Sequence, residues 1–369
     1  MTRLAQDGVP LWGVSFLGFG EAFDGFDSPV MTVRGAAETY LSIAIGDVDS
    51  AREIVADNGT SQMVTAATDG NVSLVLRLSP TGVVTEVGRI EGQVGQVAVR
   101  DLAVAPSGTV VVVGFGSEST GTTIRTPSDA ATITFVGGLG DALQGWAAAI
   151  DANGHVLWTR HFFAAPGAGA EDKDLTVIPN RVAVTDNDVW LALWSQRLTR
   201  SRTDASSGQL LVGSNEGDLP SRTTLVRLGL TTGDVVSAGV LGSKETFVSS
   251  MIADDGGPVV AGRTLELSVG GEVIGNGTVH RPFLVRPELW GRQVAESAQL
   301  GADFMTSAET AFVEPFLAKD GTGGYFVWGL FGAGALVGID SIVGLTPIGS
   351  NGVTYLTRVG SNRWLDCYE

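Results

Sequence analysis

At 369 residues, with 44 % hydrophobic and 17 % charged residues, the chain can bury a substantial core, and its composition excludes disorder. A formal net charge of −17, with no Lys/Arg cluster to offset it, argues against phosphate backbones and anionic membrane surfaces as partners. The single cysteine, Cys367, excludes an intramolecular disulfide and leaves the redox compartment open.

The opening "MTRLAQDGVPLWGV" has no apolar stretch of signal-peptide length. An extracytoplasmic location is therefore favoured only if a leader has been removed, and a cytoplasmic one otherwise. The first predicted element is a hairpin, "LAQDGVPLWGVSFLG" at 4–18, in which a polar turn with Gly8 leads into a strand bearing Trp12. It returns as "LRLSPTGVVTEVGRIEG" at 76, "AAIDANGHVLWTRHFFA" at 148, "VRLGLTTGDVVSAGVLG" at 226, "VRPELWGRQVAESAQLG" at 285 and "LTRVGSNRWLDCYE" at 356. Its turn residues, Gly8, Gly82, Gly154, Gly233, Gly291 and Asn362, recur at a period of roughly seventy, long for one hairpin.

A second hairpin recurs between these copies: "VRGAAETYLSIAIG" at 33, "VAPSGTVVVVGFG" at 104, "VTDNDVWLALW" at 184, "IADDGGPVVAGR" at 252 and "LAKDGTGGYFVWG" at 317. Two hairpins per unit give four strands. Four-stranded meanders repeated along a chain predict an all-β fold, a β-propeller of four-stranded blades, over a solenoid. One domain, 1–369, is expected, with a lone hairpin at 4–18 and five complete units at 30–92, 93–164, 165–242, 243–301 and 302–369. Six positions around a ring follow if the lone hairpin supplies the outer half of a blade; five or seven are the alternatives.

Between the hairpins of each unit run Gly/Ser/Thr-rich inserts, such as 117–145 and 196–222. They contain strand-like pieces, "TITFVGG", "QLLVGSN" and "LELSVGG", and so are expected to be ordered. Residues 327–345 have the length of a membrane span but carry Asp340 and five glycines, where other units have strands, so no membrane insertion is expected.

"DANGHVLW" after "GWAAAI", with "SGTVVVVGF" upstream, resembles the bacterial propeller repeats of the SBBP type, and more weakly the quinoprotein-type repeats. The resemblance covers 93–164 well and the other units loosely. Trp12 and Trp158 keep its tryptophan, whereas Glu86, Ser237 and Ala295 replace it. It implies a propeller fold in a bacterial repeat protein. The quinone-dehydrogenase activity of some quinoprotein bearers is not expected, because no vicinal cysteine pair is present and complete copies are few.

No cofactor is expected. His155 and His161 lie roughly 20 Å apart along a strand, too far to share an ion, and His280 stands alone. Calcium has hard oxygens available at Asp24 and Asp27, at Asp47 and Asp49, and at Asp254 and Asp255, but no pair sits in a calcium-loop pattern. No G-x-S-x-G nucleophile elbow occurs.

The remaining candidate site is a series of arginines four to six residues before the turns, Arg3, Arg77, Arg227, Arg286 and Arg358, broken by Ala149. These five could form a ring that binds an anion. Alternatively, each stem packs at an inter-blade position and each fork bonds acids or carbonyls. The favoured function is a non-catalytic scaffold that presents its inserts to a protein or glycan ligand. Two alternatives stand beside it: a hydrolase or lyase with carboxylates on the axial face, and a structural subunit of an extracellular or phage-like assembly.

Overall fold

The computed structural model describes residues 2–4, 10–17, 30–34, 38–44, 52–56, 61–64, 72–92, 97–117, 121–135, 142–164, 176–195, 199–202, 209–211, 222–242, 245–254, 257–269, 272–275, 280–287, 294–299, 315–319, 324–331, 336–337, 343–344 and 353–359. The chain divides into two compact units, residues 1–189 with 199–210 and 229–234, and residues 190–198, 211–228 and 235–369. Among the described residues every helix or strand is a strand, and the strands form antiparallel sheets.

The paired hairpins build these sheets. Residues 30–92 supply Val30–Arg34, Glu38–Ala44, Val72–Leu78 and Val84–Gly92, which lie side by side in that order. Residues 93–164 repeat the meander with Val97–Val104, Val110–Ser117, Leu143–Ile150 and Val156–Ala164. It recurs again from Val177–Val184 to Val235–Leu241 and from Thr246–Asp254 to Val294–Gln299. The last sheet places Tyr325–Phe331 between Phe316–Lys319 and Val353–Val359.

Strand alternation assigns the two faces. Leu74, Leu76 and Leu78 point into a core shared with Trp12, Leu41 and Ile43, while Val75 points the other way, into a core with Tyr40, Val110 and Trp146. Both faces of the strand are covered, which is why it reads as a nearly continuous apolar run.

The inserts do more than connect hairpins. Thr122–Arg125 pairs with Val84–Gly92, the outer strand of the preceding repeat, and Ala130–Ile133 then pairs with Thr122–Arg125. Thr199–Arg202 and Gln209–Leu210 extend the sheet of residues 93–164 in the same way, and Arg52–Ala56 with Ser61–Val64 extends the N-terminal hairpin. The strand-like pieces expected within the inserts are thus spent on covering sheet edges, where unpaired N–H and C=O groups would invite other chains. Glu266–Val269 differs, pairing with Glu272–Gly275 as a separate small hairpin.

Two side chains tie one repeat to the next at equivalent places, each beside a β-bulge in the first strand of its sheet. Asp101 accepts a hydrogen bond from the Val182 amide at 2.9 Å, and Ser250 accepts one from the Leu317 amide at 3.0 Å. The described part of residues 327–345 lies in Tyr325–Phe331, Leu336–Val337 and Val343–Gly344, and among the described residues no helix is long and apolar enough to cross a membrane.

Candidate functional site

Three hairpin turns share one hydrogen-bonding pattern. In each, the first residue's amide donates to the carbonyl of the fifth, and the amide of a positive-φ glycine, the fourth, donates to the carbonyl of the first. They span Ser79 to Val83, Ala105 to Thr109 and Asp151 to His155, with Gly82, Gly108 and Gly154 in the left-handed region that glycine enters without strain.

The turn at Gly82 is capped from the preceding hairpin. Trp12 lies against Gly82, its ring atom Cγ 2.9 Å from where a Cβ would stand, and its indole N–H donates to the Pro80 carbonyl at 2.9 Å. Trp158 covers the turn at Gly233 in the same manner, donating to the Leu230 carbonyl at 2.8 Å. Both tryptophans are buried. At Gly108 the cap is Arg34, whose Nη2 donates to the Pro106 carbonyl at 2.6 Å.

At Gly154 no indole or guanidinium lies on the glycine; Thr126 and Ser128, from the insert, donate to the Gly154 and Asn153 carbonyls. Glu86 holds the place of Trp12 and Trp158, four residues after its turn glycine, and lies bidentate against Arg89 at 2.7 and 2.8 Å. A cleft of about 210 Å³ remains, lined on one side by Tyr40, Arg77 and Glu86 and on the other by Asp151, Ala152 and Gly154. Arg34, Gly108 and Asn153 also line it.

The two carboxylates of the cleft are committed. Asp151 accepts from the His155 and Asn153 amides at 2.8 Å each, and these bonds hold its carboxyl below the usual range, the His155 amide contributing most. Glu86 is neutralised by Arg89. Burial, and then the Glu38 carboxylate, raise the Tyr40 phenol above its ordinary value.

The described arginines of the series meet different partners. Arg3 Nη1 reaches the Pro80 carbonyl at 3.4 Å, alongside the Trp12 indole. Arg227 lies over the Trp190 ring at 5.6 Å, and Arg286 donates to the Tyr325 hydroxyl at 2.8 Å. Arg77 lines the cleft. Arg358 pairs through its backbone with Phe326, and its side chain lies outside the described residues. The feature missed in the sequence is the cleft itself, although Glu86 at a tryptophan position was a signal for it.

His161 is buried against Gln144, 2.9 Å from its Oε1, and between Phe135 and Phe163. His280 faces Glu245 at 3.4 Å, and His155 stands in the Asp151 turn. No group of three or more His, Cys, Asp or Glu is arranged around a metal position among the described residues. Asp24, Asp27, Asp47, Asp49, Asp255 and Cys367 lie outside them, as does the side chain of Asp254.

No family profile and no curated protein matches the chain. Among solved structures, KlHsv2 with loop 6CD replaced by a Gly-Ser linker matches at 11 % identity and a TM-score of 0.32, over 90 % of this chain and 98 % of that one. The Pyrococcus horikoshii acylaminoacyl peptidase in its orthorhombic form matches at 11 % identity and a TM-score of 0.28, over 87 % of this chain. The same peptidase in its uncomplexed form gives 10 % and 0.30. The chain spans about half the length of the peptidase chains it matches.

Proposed function

We propose that the chain is a β-propeller of six positions that works as a non-catalytic binding scaffold for a protein or glycan ligand. The observation that carries this reading is the cleft at Gly154, a concave site lined by Tyr40, Arg77 and Ala152, where the described turns at Gly82, Gly108 and Gly233 are instead covered by Trp12, Arg34 and Trp158. Repetition supports the ring: an indole docks one repeat ahead twice, across 68 and 72 residues. A scaffold of packed, edge-covered sheets holds such a cleft in one shape, which lowers the ordering cost of binding.

The carboxylates argue for binding over hydrolysis, since Glu86 is paired with Arg89 and Asp151 stays ionised. Probing peptide and glycan arrays with the labelled chain tests the reading. Saturable binding to a subset of either is expected. Turnover of a hydrolase or lyase substrate panel, diminished by substituting one carboxylate, would overturn it. Particle images with six radial positions are expected for the ring, and an open stack of sheets would refute closure.

A further inference from the structure

The cleft at Gly154 is the negative of a contact the molecule makes elsewhere. At Gly82, a tryptophan four residues past the preceding repeat's Gly8 lies against the glycine and gives its N–H to the carbonyl two residues before it. The turn at Gly154 has the same backbone bonds and the same left-handed glycine. Its corresponding carbonyl is that of Ala152, which has no donor among the described residues and lines the cleft. The glycine is covered less closely than its counterpart: the nearest atom to a Cβ placed there is Ser128 Oγ at 3.4 Å, against ring atoms at 2.6–2.9 Å over Gly233, while Thr126 and Ser128 donate from the side to the Gly154 and Asn153 carbonyls.

We infer that this cleft receives one tryptophan side chain from a partner polypeptide, its indole lying on Gly154 and its N–H donating to the Ala152 carbonyl.

Size, wall chemistry and strand position agree. About 210 Å³ falls short of the roughly 300–1,000 Å³ of sites for drug-sized molecules and suits a single ring. Arg77 corresponds in the repeat to Arg3, which shares the Pro80 carbonyl with the Trp12 indole. In the cleft, Arg77 lines the wall beside Tyr40, and a guanidinium so placed attracts an aromatic face. Glu86, drawn aside by Arg89, leaves the space from which Trp12 and Trp158 reach their own turns. The choice of a polypeptide as the source rests on the scaffold reading; the choice of an indole rests on the cleft alone.

The test is titration of the full chain with N-acetyl-5-fluorotryptophanamide, followed by fluorine NMR and by amide shifts. Saturable binding is expected, with the largest shifts at the Asn153 and Gly154 amides. N-acetylphenylalaninamide, which lacks the ring N–H, should bind at least fivefold more weakly. Glu86→Trp should fill the cleft from within and weaken the probe at least tenfold. Absence of saturable binding, shifts confined to other residues, equal affinity for the phenylalanine analogue, or undiminished binding by folded Glu86→Trp would each overturn the inference. If Glu86→Trp does not fold, the shift map and the phenylalanine comparison decide. Array binding that persists while the tryptophan probe fails refutes the cleft and spares the scaffold; the converse refutes the scaffold and spares the cleft.

Discussion

At the residue scale, one side chain's identity decides whether a junction is packed or open. Trp158 joins a hydrogen bond to a ring packed on a glycine that no larger residue could replace without both a clash and a strained positive φ. Trp158→Ala should cost about 3–5 kcal/mol in urea unfolding, because a large buried ring leaves a cavity that its neighbours refill only in part. A loss below about 1 kcal/mol would mean that the indole is not packed as described. Asp101 makes a second residue-scale prediction. Loss of solvent pushes its carboxyl up to about 6, against the pull of Arg181, the Val182 and Leu102 amides and Arg100. The folded state therefore keeps this proton to a higher pH than the unfolded chain, whose aspartates titrate near about 3.9. Its contribution to stability is fully present below that value and is lost as pH rises through about 6. Melting temperatures measured from pH 4 to 7 should fall more for the native protein than for Asp101→Asn, and parallel profiles would exclude the effect.

At the element scale, the inserts act as edge covers. Ile124 pairs with Ile90 across the junction of Thr122–Arg125 with Val84–Gly92, and both side chains are buried. Replacing residues 121–135 with a Gly-Ser linker should uncover the backbone of Val84–Gly92 and the apolar face that Ile124, Ile133 and Phe135 protect. Light scattering should then report dimers or larger species. A monomer with an unchanged melting temperature would show the added strands to be dispensable. The bulges that turn Asp101 and Ser250 toward the next repeat belong to the same scale, since each moves one side chain out of the alternation and onto a neighbouring amide.

At the scale of the whole molecule, the N-terminal hairpin has a defined place. Through Trp12 and Arg3 it docks on the turn of residues 79–83 as residues 143–164 dock on the turn at Gly233. Deleting residues 1–19 should expose that turn and the face of Leu74, Leu76 and Leu78, lower the melting temperature and promote aggregation. A truncated monomer of unchanged melting temperature would show that the hairpin contributes nothing to the packing of the repeat it covers.

The sequence by itself determined the strands, the two-hairpin period and the glycine turns, because alternation and left-handed turn positions are local properties of the backbone. It also determined that Trp12 and Trp158 play one part, since they share one repeat position. Only the tertiary structure decided what the arginines meet. Arg3, Arg77, Arg227 and Arg286 are equivalent along the chain, yet they reach a carbonyl, a cleft, an indole face and a phenol, because what each meets is brought to it by folding from residues far along the chain. The same reason governs the inserts and the open cleft. Glu86 marks an absent tryptophan in the sequence, but the space this leaves exists only because Arg89 draws the carboxylate aside and the turn at Gly154, 68 residues on, is brought opposite it by folding.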